Sequence, residues 1–179
     1  DPQNARERFL SPDEMVRLQQ AVQDSPNKML RFIVPALLLT GMRKREVLDA
    51  KWADIDLQAK TWFLPDTKSG KPRVVLLSDV LVSMLQAMPR RGETPWVFAN
   101  PATGKPFVSI FYAWNSARKR AGLADIRVHD LRHTFASWHA QNGTPPQVLK
   151  ELGGWASLQM VDRYMHLAPS HLASFANNI

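Results

Sequence analysis

The sequence contains no cysteine and only two tyrosines, Tyr112 and Tyr164, among its 179 residues. Without thiols the chain can form no disulfide, and this absence fits a reducing compartment without requiring one. The longest apolar run, FIVPALLLTG, contains Pro35 and is far too short to cross a bilayer. The N-terminus lacks the charged and then apolar pattern of a secretory signal. We therefore expect a cytoplasmic protein with no membrane partner.

Carboxylates are scarce relative to basic side chains. The chain has 23 Lys and Arg against 16 Asp and Glu, which gives a formal net charge of +7 and a sequence pI near 10.1. Such an excess of positive charge favours a polyanionic partner. No basic amphipathic helix with a broad aromatic face is evident, so nucleic acid is favoured over an anionic membrane surface.

The length suits one domain with a sizeable core. Residues 1–10 are polar and predict a linker or an artificial boundary, and residues 11–179 predict the domain itself, as part of a longer protein. Apolar residues recur at helical spacing along most of the chain, beginning after a capping box formed by Ser11 and Glu14. Two β-rich runs flank the turn TKSGK. The sequence predicts a mainly α fold with a small antiparallel sheet.

The stretch HDLRH places His129, Arg132 and His133 on one face of a helical turn. Taken alone, this pattern also describes a solvated polar face. Two histidines at i and i+4 can chelate zinc, but the glutamate of a zinc protease is missing and Arg132 would repel the cation. We therefore predict no metal and no cofactor.

Two further stretches carry unusual basic residues. In TGMRKREV, Arg43, Lys44 and Arg45 stand at a predicted helix start, where positive charge opposes the helix dipole unless an anion binds there. An exposed basic turn is the alternative. In TKSGKPR, Lys68 occupies a predicted hairpin tip, where most lysines only solubilise a sheet edge.

Together, and in this order, TGMRKREV, TKSGK, HDLRH and LGGWASLQMVDRYMHL resemble the catalytic domain of the tyrosine recombinases, in particular the phage integrases. The resemblance covers nearly the whole chain. Two positions depart from the family pattern: Trp155 replaces a histidine, and Val161 replaces a threonine. The DNA-clasping N-terminal domain of the family is absent from this sequence.

The resemblance implies that the protein cleaves and rejoins DNA through a 3′-phosphotyrosine, without a cofactor. Tyr164 is the implied nucleophile and His129 its base, because a neutral imidazole can accept a proton near neutral pH. Arg43 and Arg132 would bind the non-bridging phosphate oxygens, since charge develops there. Lys68 would protonate the 5′ leaving oxygen, with Lys71 as the other candidate. Trp155 would donate one hydrogen bond through its indole N–H.

Other residues take supporting roles in this interpretation. Glu46 is expected to hold Arg43 in place, and His133 is expected to support the site through a hydrogen bond or, alternatively, to contact the phosphate. Lys44, Arg45, Lys71 and Arg73 are expected to contact DNA. The resemblance implies double-stranded attachment sites as substrate, a homotetramer on DNA, possible accessory DNA-bending proteins, and integration or excision of a prophage or similar mobile element. Residues 170–179 are expected either to reach a neighbouring protomer or to fold back on their own core.

Two alternatives stay open at this stage. The segment TPPQVLKELGGWASLQMVDRYM could form a helix-turn-helix of a non-catalytic DNA-binding module. A type IB topoisomerase would share the chemistry but not the strand exchange.

Overall fold

The computed structural model describes residues 8–89, 92–170 and 172–179. Its α-helices in chain order are α1 Pro12–Gln23, α2 Leu30–Thr40, α3 Lys44–Leu48, α4 Asp79–Ala87, α5 Phe111–Arg120, α6 Asp130–Gln141, α7 Pro146–Gly153, α8 Leu158–Met165 and α9 Leu172–Phe175. Its strands are β1 Ile55–Asp56, β2 Thr61–Leu64 and β3 Arg73–Leu76. The prediction of a mainly helical fold with a small antiparallel sheet is confirmed. Within these ranges, no helix is long and apolar enough to cross a membrane.

Local chemistry sets the ends of the helices that matter most here. The predicted capping box is present at α1: the Ser11 hydroxyl accepts from the Glu14 N–H at 3.1 Å, and the Glu14 carboxylate accepts from the Ser11 N–H at 2.9 Å. Helix α2 ends at Gly41, whose φ of +66° lies in the left-handed region. A Cβ at Gly41 would also lie 2.4 Å from the Phe135 ring, so α2 and α6 approach too closely for any other residue.

The sheet has the order β1-β2-β3, and both pairs are antiparallel. Strands β2 and β3 form the predicted hairpin around TKSGK, with Trp62 opposite Val75. Strand β1 was not predicted, because the stretch after Arg43 reads as one helix. The helix ends early because the following chain is pulled into an isolated bridge between Lys51 and Trp96, where the Trp52 N–H donates to the Pro95 carbonyl at 3.0 Å.

Helix α6 connects two apolar clusters. Leu131, on its first turn, belongs to the larger cluster, which includes side chains of α1, α2, α4 and α5. Phe135, Ala136 and Ala140 belong to a smaller cluster with α7 and α8, which also contains Tyr164. The HDLRH segment therefore lies where the two clusters meet.

The start of the described chain is packed rather than linker-like. Leu10 is fully buried; its N–H donates to the Thr134 hydroxyl at 3.0 Å, and its carbonyl accepts from the Trp138 indole at 2.8 Å. Arg8 forms ion pairs with Glu14 and Asp125. Residues 8–10 are therefore packed against the helices that follow, and the boundary predicted between residues 10 and 11 stays a prediction. Residues 1–7 lie outside the described ranges.

Candidate active site

Arg132 lies at the centre of the site, on the first turn of α6, with only 5% of its surface exposed. Its Nη1 donates to the carbonyls of Gly41, at the end of α2, and of Gly153, at the end of α7, the latter at 3.0 Å. The guanidinium carbon also lies 4.1 Å from the centroid of the Trp155 ring, a cation–π geometry. Two helix ends and an indole thus fix this guanidinium.

Positive neighbours make Arg132 electrostatically unusual. Burial first, and then the charges of Arg43 and Arg73, lower its pKa to about 10. It remains protonated at neutral pH. Its neighbours therefore repel a charge that it cannot release, and an anion bound between them would relieve that repulsion.

Tyr164, on α8, is buried, and its hydroxyl lies 2.6 Å from Nδ1 of His133. Burial first, and then the charges of His129 and Arg163, lower the pKa of His133 to about 4. The ring is therefore neutral near pH 7, and in the tautomer protonated at Nε2 its Nδ1 accepts the phenolic hydrogen. In that tautomer the contact provides an acceptor for the Tyr164 proton.

The histidine that contacts the Tyr164 hydroxyl is His133, whereas the sequence predicted His129 as the base of Tyr164. His129 immediately precedes α6 and is more exposed, and its ring stands edge-on to that of His133, with 5.0 Å between centroids. Its pKa is lowered by burial and by the charge of Arg132. His129 thus contacts the His133 ring, whereas His133, predicted as a supporting hydrogen-bonding residue or a phosphate contact, is the histidine that contacts the Tyr164 hydroxyl.

The turn between α2 and α3 positions Arg43. The Thr40 hydroxyl donates to the Ala36 carbonyl at 2.6 Å and accepts from the Met42 N–H at 3.2 Å, which shapes the turn. The carboxylate of Glu46 accepts from the Arg43 backbone N–H at 2.9 Å. Glu46 thus restrains the main chain of Arg43, and its role as a positioning residue stays a prediction supported by this contact.

The β2–β3 hairpin faces α3 across an open cavity of about 540 Å³. Arg43, Glu46 and Lys68 line this cavity, whereas Lys71 does not. The Thr67 hydroxyl donates to the Lys71 carbonyl at 2.5 Å and orders the turn, while both lysine side chains remain exposed. The shared cavity favours Lys68 over Lys71 as the group that reaches a ligand held by Arg43.

Two of the predicted DNA contacts are placed differently from expectation. Arg45 binds Asp49 through Nε at 2.9 Å and also donates to the carbonyls of Phe107 and Val108, so its guanidinium is engaged within the protein. The neighbouring Asp49 raises its pKa. The i,i+4 spacing of Arg45 and Asp49 is a sequence signal that could have indicated this pair.

Arg73 lies deeper than a surface DNA contact would. A Cβ built on Gly154 would lie 2.5 Å from its guanidinium carbon, so the side chain extends from β3 to the turn after α7. Burial, and then the charge of Arg43, lower its pKa, which Glu46 opposes. Lys44 and Lys71 are exposed, as expected of residues that contact a DNA backbone.

Three guanidiniums therefore converge, those of Arg43, Arg73 and Arg132. In the described ranges none of them forms an ion pair with a carboxylate. The buried Tyr164 hydroxyl is close enough for its charge to influence Arg132. An arrangement of unpaired guanidiniums beside a hydroxyl and a neutral imidazole can bind a tetrahedral anion and present a nucleophile to it.

Comparison with known proteins identifies relatives of this chain. A family model described as the phage integrase family matches residues 8–171. The integrase of Salmonella phage P22 is 38% identical, over 99% of this chain and 48% of that protein. The chain spans about half the length of the curated relatives it matches.

Solved structures show the same fold. The catalytic domain of bacteriophage HP1 integrase aligns with a TM-score of 0.75 at 32% identity, covering 95% of this chain and 94% of that one. A lambda integrase dimer bound to a COC′ core site aligns with a TM-score of 0.71 at 23% identity, covering 88% of this chain and 47% of that one. At that identity the second likeness supports the fold alone.

Proposed function

The chain belongs to the phage integrase family, and we propose that it is the catalytic domain of a tyrosine-type site-specific recombinase that cleaves and rejoins DNA. The observation that carries the proposal is the Tyr164 hydroxyl, held at 2.6 Å from a neutral His133 beside three unpaired guanidiniums. We propose that the catalytic domain covers residues 11–179 and that the packed residues 8–10 belong to it as well.

The first step is attack by the Tyr164 oxygen on a DNA phosphorus. A phenol with an ordinary pKa near 10 would need about 4 kcal/mol to ionise at pH 7, so an acceptor for its proton lowers the barrier. His133 takes that proton, and His129, in edge contact with His133, is placed to bind the phosphate or to pass the proton on. The oxygen–phosphorus bond forms as the bond to the 5′ oxygen breaks.

The arginines act on the charge that develops. Arg43 and Arg132 donate to the non-bridging oxygens, and Arg132 does so from a position already fixed by Gly41, Gly153 and Trp155. The Trp155 indole lies under the guanidinium, so Trp155 orients Arg132 in addition to its predicted hydrogen bond. Lys68 donates a proton to the departing 5′ oxygen across the cavity it shares with Arg43.

The product retains the energy of the broken bond as a 3′-phosphotyrosine. A 5′-hydroxyl of a second strand can therefore replace the tyrosine in the reverse reaction, which gives strand exchange rather than hydrolysis. We propose attachment-site DNA in a bacterial cytoplasm as the substrate, a homotetramer on two sites, and integration or excision of a prophage or similar element, with accessory DNA-bending proteins.

We propose that the C-terminal tail, residues 170–179, contacts a neighbouring protomer. Leu172 and Phe175 leave 79% and 63% of their surfaces exposed, so neither is folded into the core of its own domain. Deleting residues 170–179 from the complete recombinase should leave cleavage of a single site intact and abolish recombination between two sites. Full recombination by the truncated protein would contradict the exchange role.

A non-catalytic DNA-binding module accounts less well for the site. In a helix-turn-helix formed by α7 and α8, Tyr164 would contact the DNA backbone, but its side chain is buried and bonded to His133. The engaged hydroxyl instead suits a nucleophile that is held beside its base.

The deciding experiment selects the DNA site and tests the chemistry together. The protein is incubated with a pool of randomised duplexes carrying a nick, and DNA that survives denaturation as a protein adduct is recovered and sequenced. Wild type and Tyr112→Phe should both form the adduct, because Tyr112 is 85% exposed outside the site. Tyr164→Phe should form none. An adduct with Tyr164→Phe would refute the assignment of the nucleophile.

A further inference from the structure

Arg73 is the most unusual basic residue outside the set that the sequence assigned to catalysis. It is the first residue of β3, yet its guanidinium reaches the turn between α7 and α8. Its Cζ and Nε lie 2.5 and 2.6 Å from the position that a Cβ of Gly154 would occupy. Gly154 has a φ of +69°, so glycine is favoured there both by its backbone and by the guanidinium packed against it.

The Arg73 side chain is half-buried, and one of its donors is buried without a partner. Its Nη1 is shielded from solvent and has no hydrogen-bond partner among the described residues. An arginine that merely fills space normally directs such a group at a carbonyl. Arg118 in this chain does so, donating from Nη1 to the Ile126 carbonyl at 2.9 Å. A buried donor without an acceptor is costly, which indicates that its acceptor arrives with a ligand.

The surroundings specify the charge of that ligand. Arg43 and Arg132 are the neighbouring cations, and Glu46 is the carboxylate whose charge acts on Arg73. In the described part of the chain, Arg73 forms no ion pair. Three cations held together without matching carboxylates fit a phosphate better than a neutral group.

We propose that Arg73 is a third guanidinium on the reacting phosphate, donating from Nη1 to a non-bridging oxygen beside Arg43 and Arg132. This inference rests on the proposed function and extends it. Arg132 has already committed Nη1 to the carbonyls of Gly41 and Gly153, which leaves fewer of its donors for the phosphate. Arg73 supplies a further donor on the side of α7 and β3, next to those of Arg43 and the remaining donors of Arg132.

The first measurement is the rate of covalent adduct formation at saturating concentration of a duplex recovered from the randomised pool. Arg73→Gln should slow the reaction by about 10²-fold, the effect of losing one donor to the developing oxyanion. Arg73→Lys, which keeps a charge without the fork, should be intermediate. Lys28→Gln removes an exposed cation outside the site and should react at the wild-type rate.

The second measurement separates a phosphate contact from a structural role. In the Tyr164→Phe background, duplex affinity is measured with a phosphate or with each methylphosphonate stereoisomer at the cleaved position. Arg73→Gln should weaken binding to the phosphate by about tenfold, and this loss should disappear for the stereoisomer that lacks the contacted oxygen. Should Arg73→Gln not fold, Arg73→Lys serves in the same comparison.

Each outcome has a distinct meaning. A wild-type protein that forms no adduct with any duplex overturns the proposed function, and the role of Arg73 with it. An adduct that forms at the wild-type rate in Arg73→Gln overturns the inference alone. A loss of affinity that is equal for phosphate and both methylphosphonates also overturns it, because Arg73 would then support the fold and not an oxygen.

Discussion

The domain should lose stability between pH 7 and pH 5, and His133 should account for about 2 kcal/mol of that loss. Burial lowers the pKa of His133 from 6.5 to about 4. Below pH 6.5 the unfolded chain therefore binds a proton that the folded chain binds only near pH 4, so acid favours unfolding. Each pH unit in this window is worth 1.36 kcal/mol, and the interval from 6.5 to 5 gives about 2 kcal/mol.

The free energy of unfolding is measured by urea titration at both pH values, for wild type and for His133→Gln. Glutamine does not titrate and can still bond the Tyr164 hydroxyl, so the variant should lose about 2 kcal/mol less than wild type on acidification. Burial also lowers the pKa of His139, which lies outside the site, bonded to Thr144. His139→Gln is therefore the matched control, and it should leave the share of His133 unchanged.

Glu14 does not contribute to the loss of stability between pH 7 and pH 5. Arg8 lowers the pKa of Glu14 to about 2, so the stability that this carboxylate contributes is lost only as the pH falls below about 4.5. If wild type and His133→Gln lose equal free energy between pH 7 and pH 5, His133 is not held neutral by burial. The account of how Tyr164 is deprotonated would then fail with it.

Three further outcomes are expected. Arg43→Ala should slow adduct formation by about 10²–10³-fold at saturating DNA, and a loss confined to affinity would make Arg43 a phosphate anchor only. Lys68→Ala should be rescued when sulfur replaces the scissile 5′ oxygen, since a thiolate needs no proton to depart, and rescue of Lys71→Ala instead would reassign the acid. Gly153→Leu should displace Trp155, whose ring would lie 1.8 Å from the new Cβ, and slow the adduct. Adding Trp155→His should restore part of that rate. If the rate does not recover, the effect of Gly153→Leu does not arise from its clash with Trp155.

The elements built from local signals were predictable from sequence. The capping box at Ser11 and Glu14 and the hairpin around Ser69 and Gly70 depend on residues close together in the chain, and both appear where predicted. The unpredicted strand β1 depends on a bridge from Lys51 to Trp96, which are far apart in sequence. Local helix propensity does not depend on residues so far apart, so it cannot predict such a pairing. In the folded chain this tertiary contact overrides the helical pattern.

The contacts among the candidate catalytic side chains did not follow from the sequence. His129 and His133 are one helical turn apart, so the sequence places both near the same face of α6. Which of them meets Tyr164 depends on how α8 lies against α6. That position is set by packing of Leu149, Val161 and Tyr164 itself in the smaller apolar cluster. The packing of α6, α7 and α8 decides which histidine contacts Tyr164, and the five-residue motif HDLRH contains no information about that packing.

The turn after α7 shows how much of the site one short segment controls. The Gly153 carbonyl accepts from Arg132, the missing Cβ of Gly153 leaves room for the Trp155 ring beneath that guanidinium, and the missing Cβ of Gly154 leaves room for Arg73. Alanine at either glycine would place its Cβ within 2.5 Å of an atom of Trp155 or Arg73. Because the same turn also leads into α8, it relates the position of Tyr164 to the positions of the guanidiniums. The two adjacent glycines are thus a steric condition for bringing the guanidiniums proposed to bind phosphate close to the proposed nucleophile.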